Sequence, residues 1–304
     1  MGLLAEILAT RGTRQAHDLE SMQRLLTRAR RFGRFSRSLG GHYAERLWFT
    51  PWPTPMGPAA AEREARWLAE TEPLKVPFAG RMLDGFTAGS GPAVLLIHGW
   101  GEHAARLGAY VRPLRAAGLR AVGVTMPAHG PAAAGTTNVY EMSRAIVAAA
   151  ATAGGVDAII AHSMGVTASA LALRDGLACR ALVALAVPTM RTEDAFTIFG
   201  KMLALPPRTA AGLRAAIERR FGPGTWEDVA AALGRNPGIP ALVVHDHNDA
   251  LVPLDDAQAV ANAWAVPLHT TKELGHRHIL RDPGVVDQVV TFISGALQSD
   301  SLAS

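Results

Sequence analysis

Apolar and polar positions repeat with two different periods along this chain. Near the start, Leu19, Met22, Leu25, Leu26, Ala29 and Phe32 recur at three-to-four spacing, which draws one apolar stripe down a helix with arginines on its other faces. The Thr50-Pro51-Trp52-Pro53-Thr54-Pro55 run then breaks regularity, because proline removes a donor and restricts the residue before it. A further helix is expected over residues 59–70. From Leu74 onward short β-rich runs alternate with alanine-rich helical ones. Strands are predicted at 74–78, 82–87, 93–98, 120–125, 156–161, 181–187, 241–245 and 268–273, and helices at 104–117, 140–152, 164–174, 254–263 and 285–297. The later strands are continuous apolar runs, as expected where helices cover both faces of a sheet. This pattern predicts an α/β fold with a doubly wound, mostly parallel sheet.

One interval departs from the alternation. Residues 188–240 carry no strand pattern and suggest helices at 193–203, 207–221 and 225–233. A connection of that length usually has a function, often as a lid. The expected organisation is a helical N-terminal extension over 1–73, an α/β core over 74–187 and 241–304, and a helical insertion over 188–240.

Composition narrows the classes. With 304 residues, 49% of them apolar and 18% charged, the chain suits a globular protein and excludes a wholly disordered one. Proline, glycine and histidine break the longest charge-free runs, such as residues 121–140, before the roughly 18 strongly apolar residues of a membrane span. The single cysteine, Cys179, excludes an intramolecular disulfide and a cysteine-rich metal cluster. The first ten residues are apolar but contain Glu6 and have no basic lead, a poor match to a secretory signal, so a cytoplasmic location is expected. The net charge is +4, yet the first fifty residues alone hold nine arginines against four acids, so the remainder is nearly neutral. No nucleic-acid partner is expected of so neutral a body.

Ala161-His162-Ser163-Met164-Gly165 follows an apolar strand and opens a helix. A serine on so sharp a strand-to-helix turn holds its hydroxyl above the sheet, and small residues two before and two after let strand and helix approach. Ala161 stands where the usual G-x-S-x-G pattern has its first glycine. The competing reading is an ordinary helix N-terminus capped by Ser163. A serine hydroxyl needs a base to take its proton. The chain offers acids after the 241–245 strand, Asp249 with Asp246 as competitor, and bases after the last strand, His276 with His278 as competitor. The glycine-rich turn His98-Gly99-Trp100-Gly101 follows the 93–98 strand. By position, the backbone N–H groups of Trp100 and Met164 are candidate donors to an oxyanion.

Together, His98-Gly99-Trp100, Pro127-Ala128-His129-Gly130, the Ser163 elbow, Asp249-x-x-Val252-Pro253 and Gly275-His276-Arg277-His278-Ile279-Leu280 resemble the α/β-hydrolase superfamily, in its bacterial esterase- and lipase-like serine-hydrolase branch. The resemblance covers roughly residues 74–297, with the motifs in the family's order. It implies Ser163 as nucleophile, Asp249 as acid, His276 as base, and a helical cap over 188–240. The departures are Ala161 at the elbow and Thr125, where relatives often have aspartate before the Pro-x-His-Gly turn; the latter leaves that loop's hydrogen bonding open.

Other chemistry fits less well. Gly89-Ser90-Gly91 precedes its strand, whereas a dinucleotide fingerprint follows one, and residues 130–137 mimic a P-loop but have Thr136 in the lysine's place. His245-Asp246-His247 lacks an evident third metal ligand. No metal and no cofactor are expected. Dehalogenases and epoxide hydrolases on this fold use a carboxylate nucleophile, which Ser163 is not. The expected activity is therefore a serine carboxylesterase, acting on a small-molecule acyl substrate and water. A thioesterase or acyltransferase sharing the same three residues, or a non-catalytic ligand receptor, are the alternatives. His98, Phe196, Phe199, Met202 and Trp226 are candidate substrate contacts, with ordinary packing of the insertion as the competing reading. For the arginine-rich extension, packing its apolar stripe on the parent domain is preferred over peripheral contact with an anionic membrane.

Overall fold

The computed structural model describes residues 13–53, 56–130, 135–188, 195–196, 199–201 and 203–299. Five of the eleven residues of the helix expected at 193–203, Met202 among them, lie outside this set. Among the described residues three helices come first: α1 (Thr13–Gly33), α2 (Arg37–Phe49) and α3 (Pro58–Leu68). The sheet is built from β1 (Glu72–Phe78), β2 (Arg81–Ala88), β3 (Ala93–Ile97), β4 (Arg120–Val124), β5 (Ala158–His162), β6 (Ala181–Leu185), β7 (Ala241–Asp246) and β8 (Leu268–Thr271). Its order is β1-β2-β4-β3-β5-β6-β7-β8. The pairs of β2 with β1 and with β4 are antiparallel; all others are parallel.

Every residue of β3, β5, β6 and β7 is buried. The apolar runs are continuous because helices cover both faces. One face packs Leu95, Ile159 and Val243 against α5 (Val139–Thr152), α6 (Met164–Arg174) and α9 (Leu254–Trp264). The other packs Leu96, Ile160 and Val244 against α4 (Val111–Ala116) and α11 (Pro283–Ser299). The helix expected over 104–117 is divided: a 3₁₀ segment, Ala104–Tyr110, leads into α4. Pro113 lacks the N–H that a continuous α-helix would donate to the residue 109 carbonyl, which accounts for the change.

α2 is a helix that the apolar periodicity does not mark. Gly40 and Gly41 weaken its local propensity, yet both are needed for packing. A Cβ on Gly41 would lie 2.4 Å from the Gly212 carbonyl carbon, and one on Gly212 would lie 2.1 Å from the Arg37 carbonyl oxygen. The two glycines let α2 cross α7 (Pro207–Phe221) backbone against backbone. Ser36 Oγ caps α2 by accepting the Leu39 N–H at 3.3 Å.

The apolar stripe of α1 is buried, but not on the sheet. Met22, Leu26 and Ala29 pack with Leu47 of α2 and with Leu203 of the 188–240 segment. The Arg30 guanidinium adds two donations to the Leu203 carbonyl, at 3.0 and 2.6 Å. α3 attaches elsewhere: its buried Glu64 accepts from His103 Nε2 at 2.7 Å and pairs with Arg106 at 3.1 Å. α8 (Thr225–Gly234) is tied to the core through Asp228, which accepts from the Tyr140 hydroxyl at 2.9 Å and from Arg174 at 2.7 Å. No helix among the described residues is long and apolar enough to cross a membrane.

Candidate active site

Ser163 sits between the last residue of β5 and the first of α6, with φ 51° and ψ −125°. That left-handed backbone costs a non-glycine residue about 1–3 kcal/mol, and the surroundings enforce it. The Ser163 N–H donates to the Leu185 carbonyl at 2.9 Å, and its carbonyl accepts the Val166 N–H at 2.8 Å. Gly165 is required for close approach, since a Cβ there would stand 2.7 Å from the His98 carbonyl oxygen. Ala161 is fully buried in the sheet core, where its extra methyl is accommodated.

The loops after β7 and β8 bring the other polar groups. His276 lies in the short α10 (Gly275–His278). Its Nε2 is 3.1 Å from Ser163 Oγ and its Nδ1 is 2.7 Å from Asp249 Oδ2. The Asp249 side chain has no exposed surface, and its Oδ1 accepts the N–H groups of Leu251 and Val252 at 2.8 and 3.0 Å. Burial alone would raise this carboxyl, but the His276 hydrogen bond and charge, with the two N–H donors, hold it below the usual aspartate range. His276 itself is lowered, chiefly by burial and further by His162, against the opposing pull of Asp249. Its neutral form donates Nδ1–H to the carboxylate and presents the Nε2 lone pair to the serine hydroxyl.

Asp246 makes no such contact. Its Oδ1 accepts the Asn248 N–H at 2.8 Å, and its Oδ2 accepts the Thr271 hydroxyl at 2.6 Å and the Leu274 N–H at 3.0 Å. It therefore braces the β7 loop against the β8 loop. His278 points to solvent.

The turn after β3 passes directly against the elbow: a Cβ on Gly99 would lie 3.0 Å from Ser163 Cβ. Neither the Trp100 nor the Met164 N–H has a partner among the described residues. His98 is expected as a substrate contact, but it has no exposed surface. Its Nδ1 donates to the Gly99 carbonyl at 2.7 Å and its Nε2 accepts the Met126 N–H at 2.9 Å. Burial, with the nearby His129, lowers it to about 3, so it is a neutral brace between two loops. Thr125 answers the question of its own loop by accepting the Ala104 N–H on Oγ1 at 3.2 Å.

The aromatic candidates for substrate contact are occupied elsewhere. Phe196 stacks on Trp48 with centroids 5.0 Å apart, Trp226 meets Phe196 edge-on at 4.4 Å, and Phe199 meets Trp48 edge-on at 4.9 Å. The three thus take up packing with α2 and do not stand as an open acyl wall. Met202 lies outside the described residues. A cavity of about 170 Å³ lined by Arg174, Asn236 and Trp264 sits at the far end of α6 and shares no residue with the Ser163 cluster. Among the described residues no cluster of histidine, cysteine and carboxylate side chains is arranged to hold a metal.

Glu102 and His162 belong to the site although no role for either was legible in the sequence. The available signal was a lone carboxylate in a glycine-rich turn flanked by His98 and His103.

A family profile described as serine hydrolase matches residues 94–287, well over half of the chain. No curated protein matches the sequence. Among solved structures, the chain is similar to a bacterial membrane phospholipase A described as a virulence factor, with 18% identity over 79% of this chain and 91% of that one and a TM-score of 0.59. It is also similar to the monoacylglycerol lipase of Paleococcus ferrophilus, with 19% identity over 70% and 99% and a TM-score of 0.54. The epoxide hydrolase of Vigna radiata matches with 16% identity over 76% and 99% and a TM-score of 0.56. At these identities the likeness speaks for the α/β-hydrolase fold alone, which carries several chemistries.

Proposed function

The chain belongs to the serine hydrolase family, and from that premise we propose that it cleaves a small or medium, fairly hydrophobic carboxylic ester through an acyl-enzyme on Ser163. His276 Nε2 takes the Ser163 proton as Oγ attacks the carbonyl carbon. The backbone N–H groups of Trp100 and Met164 hold the oxyanion, each worth about 3–4 kcal/mol in the transition state. As the tetrahedral intermediate collapses, the His276 imidazolium gives its proton to the leaving alkoxide oxygen. Water then enters, loses a proton to His276, attacks the acyl carbon and releases the acid with Ser163 restored. Asp249 holds the imidazole in the Nδ1–H tautomer and stabilises its positive charge.

The observation that carries this reading is the unbroken contact chain, 2.7 Å from Asp249 to His276 and 3.1 Å from His276 to Ser163. The unpartnered Trp100 and Met164 N–H groups support the oxyanion assignment. The lipase names of two structural neighbours favour a lipid-like ester, by analogy only. The same reading divides the chain into an extension over 1–73, a catalytic core over 74–187 and 241–304, and a cap over 188–240.

Fluorophosphonate labelling together with a p-nitrophenyl ester chain-length series tests the proposal. Labelling that disappears in Ser163→Ala, with turnover at some acyl length, is the expected result. No labelling and no turnover at any length would sink it. Preference for acyl thioesters over oxygen esters in the same assay would move the reading to a thioesterase.

A further inference from the structure

His162, immediately before Ser163, is only 1% exposed and lies between two oxygen acceptors. Its Nδ1 is 3.0 Å from Glu102 Oε2 and its Nε2 is 2.9 Å from the His276 carbonyl oxygen. A carbonyl oxygen has only lone pairs to offer. The Glu102 oxygen also accepts the Gly99 N–H, at 3.2 Å. A neutral imidazole has one donor and one acceptor, so it leaves one of these contacts unmade. Both are satisfied when both ring nitrogens carry hydrogen, and the carboxylate then supplies the compensating charge in a site closed to water.

We propose that Glu102 and His162 form a buried ion pair that positions the oxyanion loop and the His276 loop against Ser163. This rests on the acyl-enzyme reading above. The pair joins three segments that are remote in sequence. Glu102 accepts from Gly99, next to the proposed oxyanion donor Trp100. His162 is bonded within the chain to Ser163, and it donates to the main chain of His276. Both are positioning residues, since neither touches the reacting atoms.

Titratable and charged groups from several neighbouring loops surround the pair. His98 shares the β3 loop with Glu102, and His129, of the loop after β4, meets His98 with centroids 5.0 Å apart. Arg277 Nε is 3.5 Å from Glu102 Oε1. Asp249 stands behind His276, whose ring centroid is 4.8 Å from that of His162. A cationic His162 at this range resists a second proton on His276, and Glu102 opposes that effect. The direction agrees with the lowering of His276, in which His162 takes part after burial. It also agrees with Glu102, which burial alone would raise but which His162 draws below the glutamate range.

Two measurements test the pair. In ¹⁵N–¹H NMR of the wild-type imidazoles at neutral pH, assigned by comparison with His162→Gln, the His162 ring should show hydrogen on both nitrogens. A ring with bare Nδ1 would overturn the ion pair, and this reading needs no stable variant. Kinetically, His162→Gln should reduce kcat/KM by about 10–100-fold through kcat, with KM little changed. It should also move the acid limb of the kcat/KM profile upward by roughly half a pH unit, because Glu102 is left uncompensated near His276. Adding Glu102→Gln should return the limb toward its wild-type position. A profile that superimposes on wild type in His162→Gln, or stays displaced in the double variant, would refute the proposal. Absence of fluorophosphonate labelling in the wild type would instead refute the acyl-enzyme reading, while the NMR result would still report on the pair.

Discussion

The loops at the ends of the central strands and the helical layer of α1, α2 and α7 solve the problem of assembly differently. Around Ser163, strands with every residue buried fix the backbone, and each buried polar group among Asp249, Asp246, His98 and Glu102 has named partners at hydrogen-bond distance. The helical layer is held by apolar and aromatic contact, by glycines that let helices touch, and by Arg30 donating to a carbonyl. A polar site in a rigid sheet tolerates little displacement before chemistry fails. A helical interface is expected to lose stability gradually, with the chemistry intact.

The largest effect that separates the two regions is Ser163→Ala. It should reduce turnover by on the order of a millionfold and leave the melting temperature unchanged or higher, because the strained serine is relieved of its role but not of its fold. Steady-state kinetics and thermal melting on one preparation check both halves. Asp249→Asn comes next, with a loss of about 10⁴-fold in kcat from the wrong imidazole tautomer; retention of more than a tenth of the activity would remove Asp249 from the mechanism.

In the helical layer the signs reverse. Leu47→Ala should destabilise by about 2–5 kcal/mol, as expected for a buried leucine, while kcat/KM of the folded fraction stays within twofold of wild type. Urea denaturation measures the first and activity in native buffer the second. A loss of activity without a loss of stability would show that the two regions are coupled.

The smallest effect is on pH. With His276 lowered, the acid limb of kcat/KM should fall below the ordinary imidazole value of 6.5. In the proposed mechanism neutral His276 is the base, so activity should persist as the pH drops through 6.5 and be lost only below it. The same group favours the folded state above the unfolded value and withdraws that contribution as the pH falls toward the lowered one. A limb at or above 6.5 would contradict the burial argument.

The sheet, its helices and the elbow were legible because each depends on a local pattern. Continuous apolar strands, the Ser163 turn with Gly165 beyond it, and the Met164–Arg174 helix all follow from residues within a few positions of one another. The layer made by the extension was only half legible. Periodicity marks α1, but its partners are α2 and the 188–240 segment and not the sheet, and α2 carries Gly40 and Gly41 where the backbones of Gly33 and Gly212 approach it.

The amino-acid sequence by itself determined the fold class and the order in which a serine, an acid and a histidine occur along the chain. Only the tertiary structure puts Asp249, and not Asp246 three residues before it, within hydrogen-bond distance of His276, and His276, not His278 two residues on, against Ser163, since each pair sits in one loop with nearly the same local preferences. It also decided that Glu102 meets His162 across sixty residues. Local propensity and spacing act over a few residues, whereas that contact exists because β3 and β5 are neighbours in the sheet and their C-terminal loops must share one edge.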